Sequence, residues 1–397
     1  MRILTLTNLY PNYIQPNRGI FIKYRMDAFC KISGAEMDVV SPVPYFPQLP
    51  FKTRWTQFSR IHKHEMFDGV NIYHPRYLVV PKIVMHTHCK TMFQAAFPLV
   101  QRLHEKNPYD LIDAHWVYPD GWAAVKIGKL LKIPVVVSAR GNDINEYVDF
   151  PKILPLIKWT LQHSDCNIAV CQALKDIMLD LTKKEDNIHV IGNGVDRTRF
   201  QSKIKAECRK KLGLPADKKI ILSVGLLEKR KGHHILIEAL GQLRQSSGES
   251  PHLYIIGAGP LRQKMIEQIN MLNLADSVKL VGEMPNAELA NWYSASDLLC
   301  LASDREGWPN VLLEAIACGA PVLATPVYGV PEVIHSDSVG QMVAGRTPAA
   351  FAEKIPEMLA KKWDAQKMKD FAAQHSWESV AKKVQETFNF CLDQSRN

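Results

Sequence analysis

No apolar stretch in this sequence approaches the roughly eighteen uncharged residues of a membrane-spanning helix, so no transmembrane segment is expected. The opening residues, 1–10, are apolar only in short pieces broken by Arg2, Thr5, Thr7 and Asn8, which predicts a first strand rather than a signal peptide. None of the 8 cysteines stands in Cys-x-x-Cys spacing, and several, such as Cys300, sit inside apolar runs. Buried free thiols in a reducing compartment fit that distribution better than a disulfide framework. His86, His88 and Cys89 lie close together, but no second ligand pair accompanies them, so they read as a chance cluster and no metal is expected. Short-period repeats and low-complexity tracts are absent as well. The expected setting is cytoplasmic, with attachment to the inner face of a membrane peripheral at most.

What is present is ordinary in bulk: 397 residues, 46% hydrophobic and 22% charged, enough for two or three domains. The net charge of +9 is unevenly spread. Residues 1–200 carry 25 Lys/Arg against 18 Asp/Glu, and residues 201–397 carry 24 against 22. A basic first half suits phosphate-bearing partners, and equally a solvated surface with a mild excess.

Short β-branched runs at 3–7, 37–41, 111–114, 135–138, 167–170 and 189–191 predict buried strands, separated by helical stretches at 20–32, 92–106, 121–131, 153–163 and 173–181. The pattern restarts with strands at 220–224, 253–256, 278–281, 298–301 and 322–324 and helices at 232–243, 261–272, 287–295 and 311–317. Two doubly wound α/β halves, each a parallel sheet covered by helices, are the expected fold. The domains are predicted as 1–198 and 199–376. A helix over 377–397, with Val380, Val384, Phe388 and Cys391 at helical spacing, is expected to return to the first of them. Residues 42–67 break the alternation, with Phe46, Phe51, Trp55 and Phe58 interleaved with Lys52, Arg54, Arg60 and Lys63. That composition suits contact with an anionic membrane or a phosphate-bearing acceptor, or a loop packed on its own domain by its aromatics.

Ligands of doubly wound sheets sit at the carboxyl ends of strands, on helix N-termini. After 298–301 the chain reads Glu306-Gly307-Trp308-Pro309-Asn310-Val311-Leu312-Leu313-Glu314. Pro309 suits the first turn of a helix, which would turn the N–H groups of Asn310, Val311 and Leu312 outward as an anion site. Glu314 is placed to accept both hydrogen bonds of a ribose diol, and Glu306, at the loop tip, to reach a sugar. After 220–224, Arg230 and Lys231 precede Gly232 and a helix, a pattern that suits a diphosphate. After 253–256, Gly257 and Gly259 begin a dinucleotide fingerprint whose third glycine position holds Arg262, so a tight strand-to-helix turn is expected. In the first half, residues 10–18 lead to Gly19 and a helix, a candidate lid over phosphates. His115 and the run Arg140-Gly141-Asn142-Asp143 follow strands.

These motifs resemble those of the retaining GT-B glycosyltransferases of family four. Glu306 to Glu314 resembles the family's E-x7-E motif, and Val224-Gly225 through Lys231-Gly232 its phosphate-binding segment. Ile256-Gly-Ala-Gly-Pro260, Ile191 to Asp196 with Phe200, and Gly329 to Glu332 are similar to further family signatures in the same order. The resemblance implies two Rossmann-like domains facing each other across a cleft, the first binding acceptor and the second a nucleotide-sugar. It implies that Lys231, with Arg230, holds the donor diphosphate, that Glu314 binds ribose, and that Glu306 and residues 307–311 meet sugar and phosphate. Gly19 would offer its N–H to phosphate, and Gly257 and Gly259 join Trp308 and its neighbours as candidate donor-binding residues. The chain departs from the family at Leu226, where many members have Arg, and at Arg140, where many have His. Arg140, Asp143, His115 and Asn193 are therefore the candidates for sugar or acceptor contacts.

The expected reaction is retaining transfer of a sugar from a nucleotide-diphosphate donor to a glycan or lipid-diphosphate-linked acceptor in cell-surface polysaccharide biosynthesis. No cofactor or metal is expected, and no Asp-x-Asp triplet occurs. A nucleotide-sugar 2-epimerase or a glycogen-synthase-like enzyme is the alternative on the same fold. Arg262 speaks against a nicotinamide-dependent dehydrogenase, and the even charge of the second half against a nucleic-acid binder.

Overall fold

The computed structural model describes residues 1–47, 55–80, 84–183, 187–248 and 250–396. The chain forms two compact units, Met1–Asn193 with Trp377–Asn397, and Gly194–Ser376. The division falls a few residues before the 198/199 boundary predicted from sequence. Val195 already belongs to the second unit, because its N–H donates to the carbonyl of His375 at 2.8 Å.

The first unit is built on an eight-stranded sheet of β1 (Arg2–Leu6), β2 (Glu36–Val40), β4 (His64–Phe67), β5 (Val70–Tyr73), β7 (Leu111–His115), β8 (Val135–Ala139), β9 (Cys166–Ala169) and β10 (Ile188–Val190). Its order is β10-β9-β8-β7-β1-β2-β5-β4. All neighbours are parallel except β4 and β5. Strands β1, β7, β8 and β9 are buried almost throughout, as continuous apolar runs in a parallel sheet must be when helices cover both faces. The helix Trp377–Arg396 packs on Ile20–Ser33, where Phe29 and Phe388 meet edge to face at 5.1 Å and Tyr24 meets Trp377 at 6.3 Å.

The described parts of the stretch 42–67, expected to be irregular, hold regular structure. β3 (Val43–Pro44) pairs with β6 (Arg76–Tyr77), a short helix spans Thr56–Arg60, and β4 forms a hairpin with β5. The hairpin turns at Asp68 and Gly69, whose φ values of 50° and 82° are those of a two-residue hairpin turn that favours Asp-Gly.

The second unit carries a parallel sheet of order β13-β12-β11-β14-β15-β16, made of β11 (Ile220–Val224), β12 (His252–Ile256), β13 (Val278–Gly282), β14 (Leu298–Leu301), β15 (Val322–Ala324) and β16 (Gly340–Met342). Ile220, Leu222 and Val224 join one core and Ile221 the core on the opposite face, so the central strand is covered twice over. The helices His233–Ser247, Arg262–Met271 and Asn310–Ala317 each follow a strand and begin at its carboxyl end. β16 and the helices Pro348–Ala360 and Ala365–Gln374 complete the unit and have no counterpart among the predicted elements.

Candidate active site

In the second unit two loops at the carboxyl ends of adjacent strands are held together. After β11, residues Lys229–Lys231 make a single 3-10 turn that ends in Gly232, and the helix His233–Ser247 follows. After β14, residues 302–309 lead into Asn310–Ala317. Gly232 has φ 70°, and a Cβ on it would lie 1.9 Å from the carbonyl oxygen of Ala302. Only glycine permits both the left-handed backbone and this approach. The N–H of Asp304 donates to the carbonyl of Arg230 at 3.0 Å.

This seam brings Lys231 to Glu306, with Nζ donating to Oε1 at 2.5 Å. The same oxygen accepts the Ser303 hydroxyl at 2.6 Å. The Lys231 and Glu306 side chains are 15% and 8% exposed, so Glu306 is not the loop-tip residue expected from sequence. It turns inward because a lysine and a serine hydroxyl wait there. Arg230 stays more open, with Nη2 3.7 Å from the Glu228 carboxylate and Nη1 donating to the carbonyl of Arg305 at 3.4 Å. Behind the turn, His233 is fully buried and faces the Ser223 hydroxyl at 3.0 Å. Burial, reinforced by Lys231, pushes its imidazole down to about 4 and keeps it neutral.

The helix that bears Glu314 runs Asn310–Ala317, one residue earlier at its start than the predicted 311–317, and Pro309 does not enter its first turn. Pro309 caps it from outside. The N–H of Asn310 donates to Trp308 O and that of Leu312 to Pro309 O, both at 3.0 Å. Of the three N–H groups predicted to point outward, only that of Val311 has no backbone acceptor among the described residues. Gly307 is partly exposed in the loop, and Trp308 and Val311 pack against the core beneath it. Glu314 accepts the Tyr293 hydroxyl at 2.7 Å. Burial pushes its carboxyl up to about 7, against the pull of Tyr293, Asn286 and Arg199. Arg199 donates to Asn286 Oδ1 at 3.2 Å, so a short chain of polar side chains ends on this carboxylate. None of these three neighbours stands out in the sequence.

Gly257 and Gly259 serve the neighbouring seam. A Cβ on Gly257 would fall 1.9 Å from Gly225 O, and one on Gly259 would fall 2.6 Å from Leu227 O. Their bareness lets the loops after β11 and β12 lie against each other.

In the first unit, the carboxyl ends of β7 and β8 carry a buried polar cluster. Arg140 donates to His115 Nδ1 from Nε at 3.2 Å and from Nη2 at 2.6 Å, and to Asn193 Oδ1 from Nη1 at 3.0 Å. A guanidinium cannot accept, so Nδ1 is the bare nitrogen and the neutral ring carries its hydrogen on Nε2, 2.8 Å from Asp113. Burial, with Arg140 close by, lowers His115 to about 4 despite Asp113. Burial alone would raise Asp113, but His115, Arg25 and Arg140 outweigh it and hold the carboxyl below its usual value. Asp143 does not meet the guanidinium. It caps its own loop, accepting the N–H groups of Val117 (2.8 Å), Arg140 (3.0 Å) and Gly141 (2.8 Å). Trp116, next to His115, has φ 79°, a conformation that non-glycine residues adopt only under constraint.

Gly19 stands at the start of Ile20–Ser33 with φ 60°, and a Cβ there would lie 2.2 Å from Leu9 O. The aromatics Phe46, Trp55 and Phe58 pack with Val43, Ile61 and Ile14 into a small core of their own. Phe51, Lys52 and Arg54 lie outside the described residues. Cys89 is buried, with its thiol donating to the carbonyl of His86, and no cluster of three metal-ligating side chains occurs among the described residues. No described helix is long and apolar enough to cross a membrane.

Comparison with known proteins places these loops in context. Residues 36–199 match the model of Glycosyltransferase Family 4 and residues 204–375 that of Glycosyl transferases group 1. A putative teichuronic acid biosynthesis glycosyltransferase of Bacillus subtilis, TuaC, is 28% identical over 358 residues, 89% of this chain and 88% of that protein. Among solved structures, sucrose-phosphate synthase from Thermosynechococcus elongatus shares the fold, with a TM-score of 0.76 at 20% identity over 99% of both chains. Anabaena HepE in complex with UDP-glucose does so with a TM-score of 0.71 at 20% identity over 98% of this chain and 99% of that one. The fold is GT-B. The chain belongs to the group 1 glycosyltransferases, glycosyltransferase family four, and is a glycosyltransferase.

Proposed function

We propose that this enzyme transfers a sugar from a nucleotide-diphosphate donor, with retention and without a metal ion, to a glycan or lipid-diphosphate-linked acceptor in cell-surface polysaccharide biosynthesis. The observation that carries the reading is the Lys231–Glu306 pair, set where β11 and β14 end and a helix begins, with Glu314 on the helix that follows. Cleavage of the bond from the sugar carbon to the diphosphate leaves negative charge on phosphate oxygen. Lys231 and Arg230 are the cations on hand to stabilise it. A new bond forms from the acceptor oxygen to the sugar carbon, and the hydroxyl proton passes to the departing phosphate. Glu306 fixes Lys231 and orients the sugar. Glu314 receives the ribose hydroxyls. Gly19, and the cluster of Arg140, His115 and Asn193, serve phosphate, sugar or acceptor from the first unit, with Asp143 holding that loop. The complex of Anabaena HepE with UDP-glucose, and the teichuronic acid biosynthesis for which TuaC is named, support the donor and acceptor classes.

A peripheral contact with anionic membrane belongs to this reading, and charge supports it. The helices His88–Lys106, Trp122–Leu131 and Leu154–His163 together carry six Lys or Arg (Lys90, Arg102, Lys106, Lys126, Lys129, Lys158) against one carboxylate, Glu105.

The test is a thermal-shift panel of UDP, GDP and ADP with their sugars, since a ligand of the folded state raises Tm. It is followed by transfer with the donor that binds, with and without a chelator, and by NMR of the product anomer. A rise with one nucleotide family, chelator-resistant turnover and a retained anomer are expected. No shift with any nucleotide would overturn the donor, and an epimerised donor without transfer would favour a 2-epimerase.

A further inference from the structure

Arg346, in the loop after β16, reaches across to both ligand loops of the second unit. Its Nε donates to the carbonyl of Ala302 and its Nη2 to the carbonyl of Lys229, each at 2.9 Å. Ala302 opens the loop that carries Ser303 and Glu306, and Lys229 opens the turn that carries Arg230 and Lys231. No ion pair joins Arg346 to a carboxylate among the described residues. Its positive charge therefore rests on two carbonyl dipoles and adds to the potential around the turn. The nearby imidazole of His234 registers this charge: burial lowers its pKa first, and Arg346 and Lys229 lower it further.

The geometry points to Arg346 as a positioning residue for the diphosphate-binding turn, an inference that rests on the donor reading above. Besides the side-chain bonds of Arg230 and Lys231 to the facing loop, three ties hold the backbone of the turn at the seam: the close approach of Gly232 to Ala302, the hydrogen bond from Asp304 to Arg230, and the Arg346 fork. The first two act at the middle and far end of the turn. Arg346 holds its start, and without it the carbonyl of Lys229 loses this donor and the turn gains freedom to swing Lys231 off Glu306. The planar fork is what the task needs, because two carbonyls on separate loops must be met at fixed spacing. A lysine at 346 offers a point charge on a flexible stem and meets one of them at a time. A mispositioned turn harms recognition of phosphate and leaves the ribose site at Glu314 intact.

The test compares wild type with Arg346→Gln and Arg346→Lys by calorimetric binding of the nucleoside diphosphate that the panel selects, and of its parent nucleoside. Arg346→Gln is expected to weaken the diphosphate roughly tenfold or more, from two lost charge-assisted hydrogen bonds, and to leave the nucleoside unchanged. Arg346→Lys should fall between. In a Lys231→Ala background, Arg346→Gln should have little further effect, because the side chain acts through the turn. Equal weakening of nucleoside and diphosphate would mean general loosening and overturn the inference. So would unchanged diphosphate binding, or a full effect that persists without Lys231. If wild type binds none of UDP, GDP and ADP, the donor reading itself fails and this inference falls with it. Should Arg346→Gln not fold, Arg346→Lys decides by the same comparison.

Discussion

Lys231 and Glu306 lie 75 residues apart in the chain and meet at 2.5 Å, with the Ser303 hydroxyl on the same carboxylate oxygen. The pair joins the loop of one strand to the loop of its neighbour in the sheet. On the proposed reading, a diphosphate arriving at the turn would compete with Glu306 for the ammonium. The carboxylate therefore sets both where Lys231 rests and how far its charge is free to move.

Lys231→Ala and Glu306→Ala are each expected to slow transfer by about 10²–10³-fold, the usual cost of losing a preorganised electrostatic group. Each should also cost about 1–3 kcal/mol of stability, since the partner is left mostly buried and unpaired. The double variant should lose less stability than the two singles combined. Steady-state kinetics and urea unfolding check both. Near wild-type rates for both single variants would remove the pair from the site.

Two buried groups predict opposite slopes of stability with pH. Glu314 has a folded pKa of about 7 against an ordinary 4.5. The folded state therefore holds this proton more tightly, and the stability it contributes is full below pH 4.5 and lost as pH rises to about 7. His115 has a folded pKa of about 4 against 6.5. The unfolded state takes up this proton first, so stability present above pH 6.5 is lost as pH falls towards 4. Urea unfolding across pH should show the first slope flattened in Glu314→Gln and the second in His115→Gln. Unaltered profiles would show that these groups do not carry the shifts.

Three glycines with similar φ separate backbone strain from collision. Gly34 has φ 67° and open space where a Cβ would stand, whereas Gly19 and Gly232 would drive that atom to 2.2 Å and 1.9 Å from a carbonyl oxygen. Gly34→Ala should cost about 1–2 kcal/mol from the left-handed backbone alone. Gly19→Ala and Gly232→Ala should each cost more than about 3 kcal/mol, since the neighbouring backbone must move as well. Thermal and chemical unfolding would refute this if the three variants matched.

Much of the scaffold is legible in the sequence because a buried parallel strand is a continuous apolar run, and such runs at 111–114, 220–224 and 298–301 announce themselves. The hairpin of β4 and β5 is harder to see although Asp68-Gly69 spells its turn, because the aromatics and charges around it suggest a surface loop instead. Arg346 carries no local signal. It lies 117 residues from Lys229, and nothing in its neighbourhood marks it as a bridge. The companions of Glu314 are hidden for the same reason, since Tyr293 lies on a helix 21 residues away.

By itself, then, the sequence determined the two doubly wound sheets and marked the candidate loops with the candidate residues Lys231, Glu306, Glu314 and Arg140, since local apolar pattern and residue type suffice for these. Tertiary structure alone decided how those groups are paired. It turned Glu306 inward onto Lys231, engaged the N–H groups of Asn310 and Leu312 within their own turn, and set His115 beneath Arg140 as a neutral acceptor. The physical reason is that hydrogen bonds and burial depend on which distant segments share a strand end, and parallel sheets bring together neighbours that are far apart in the chain.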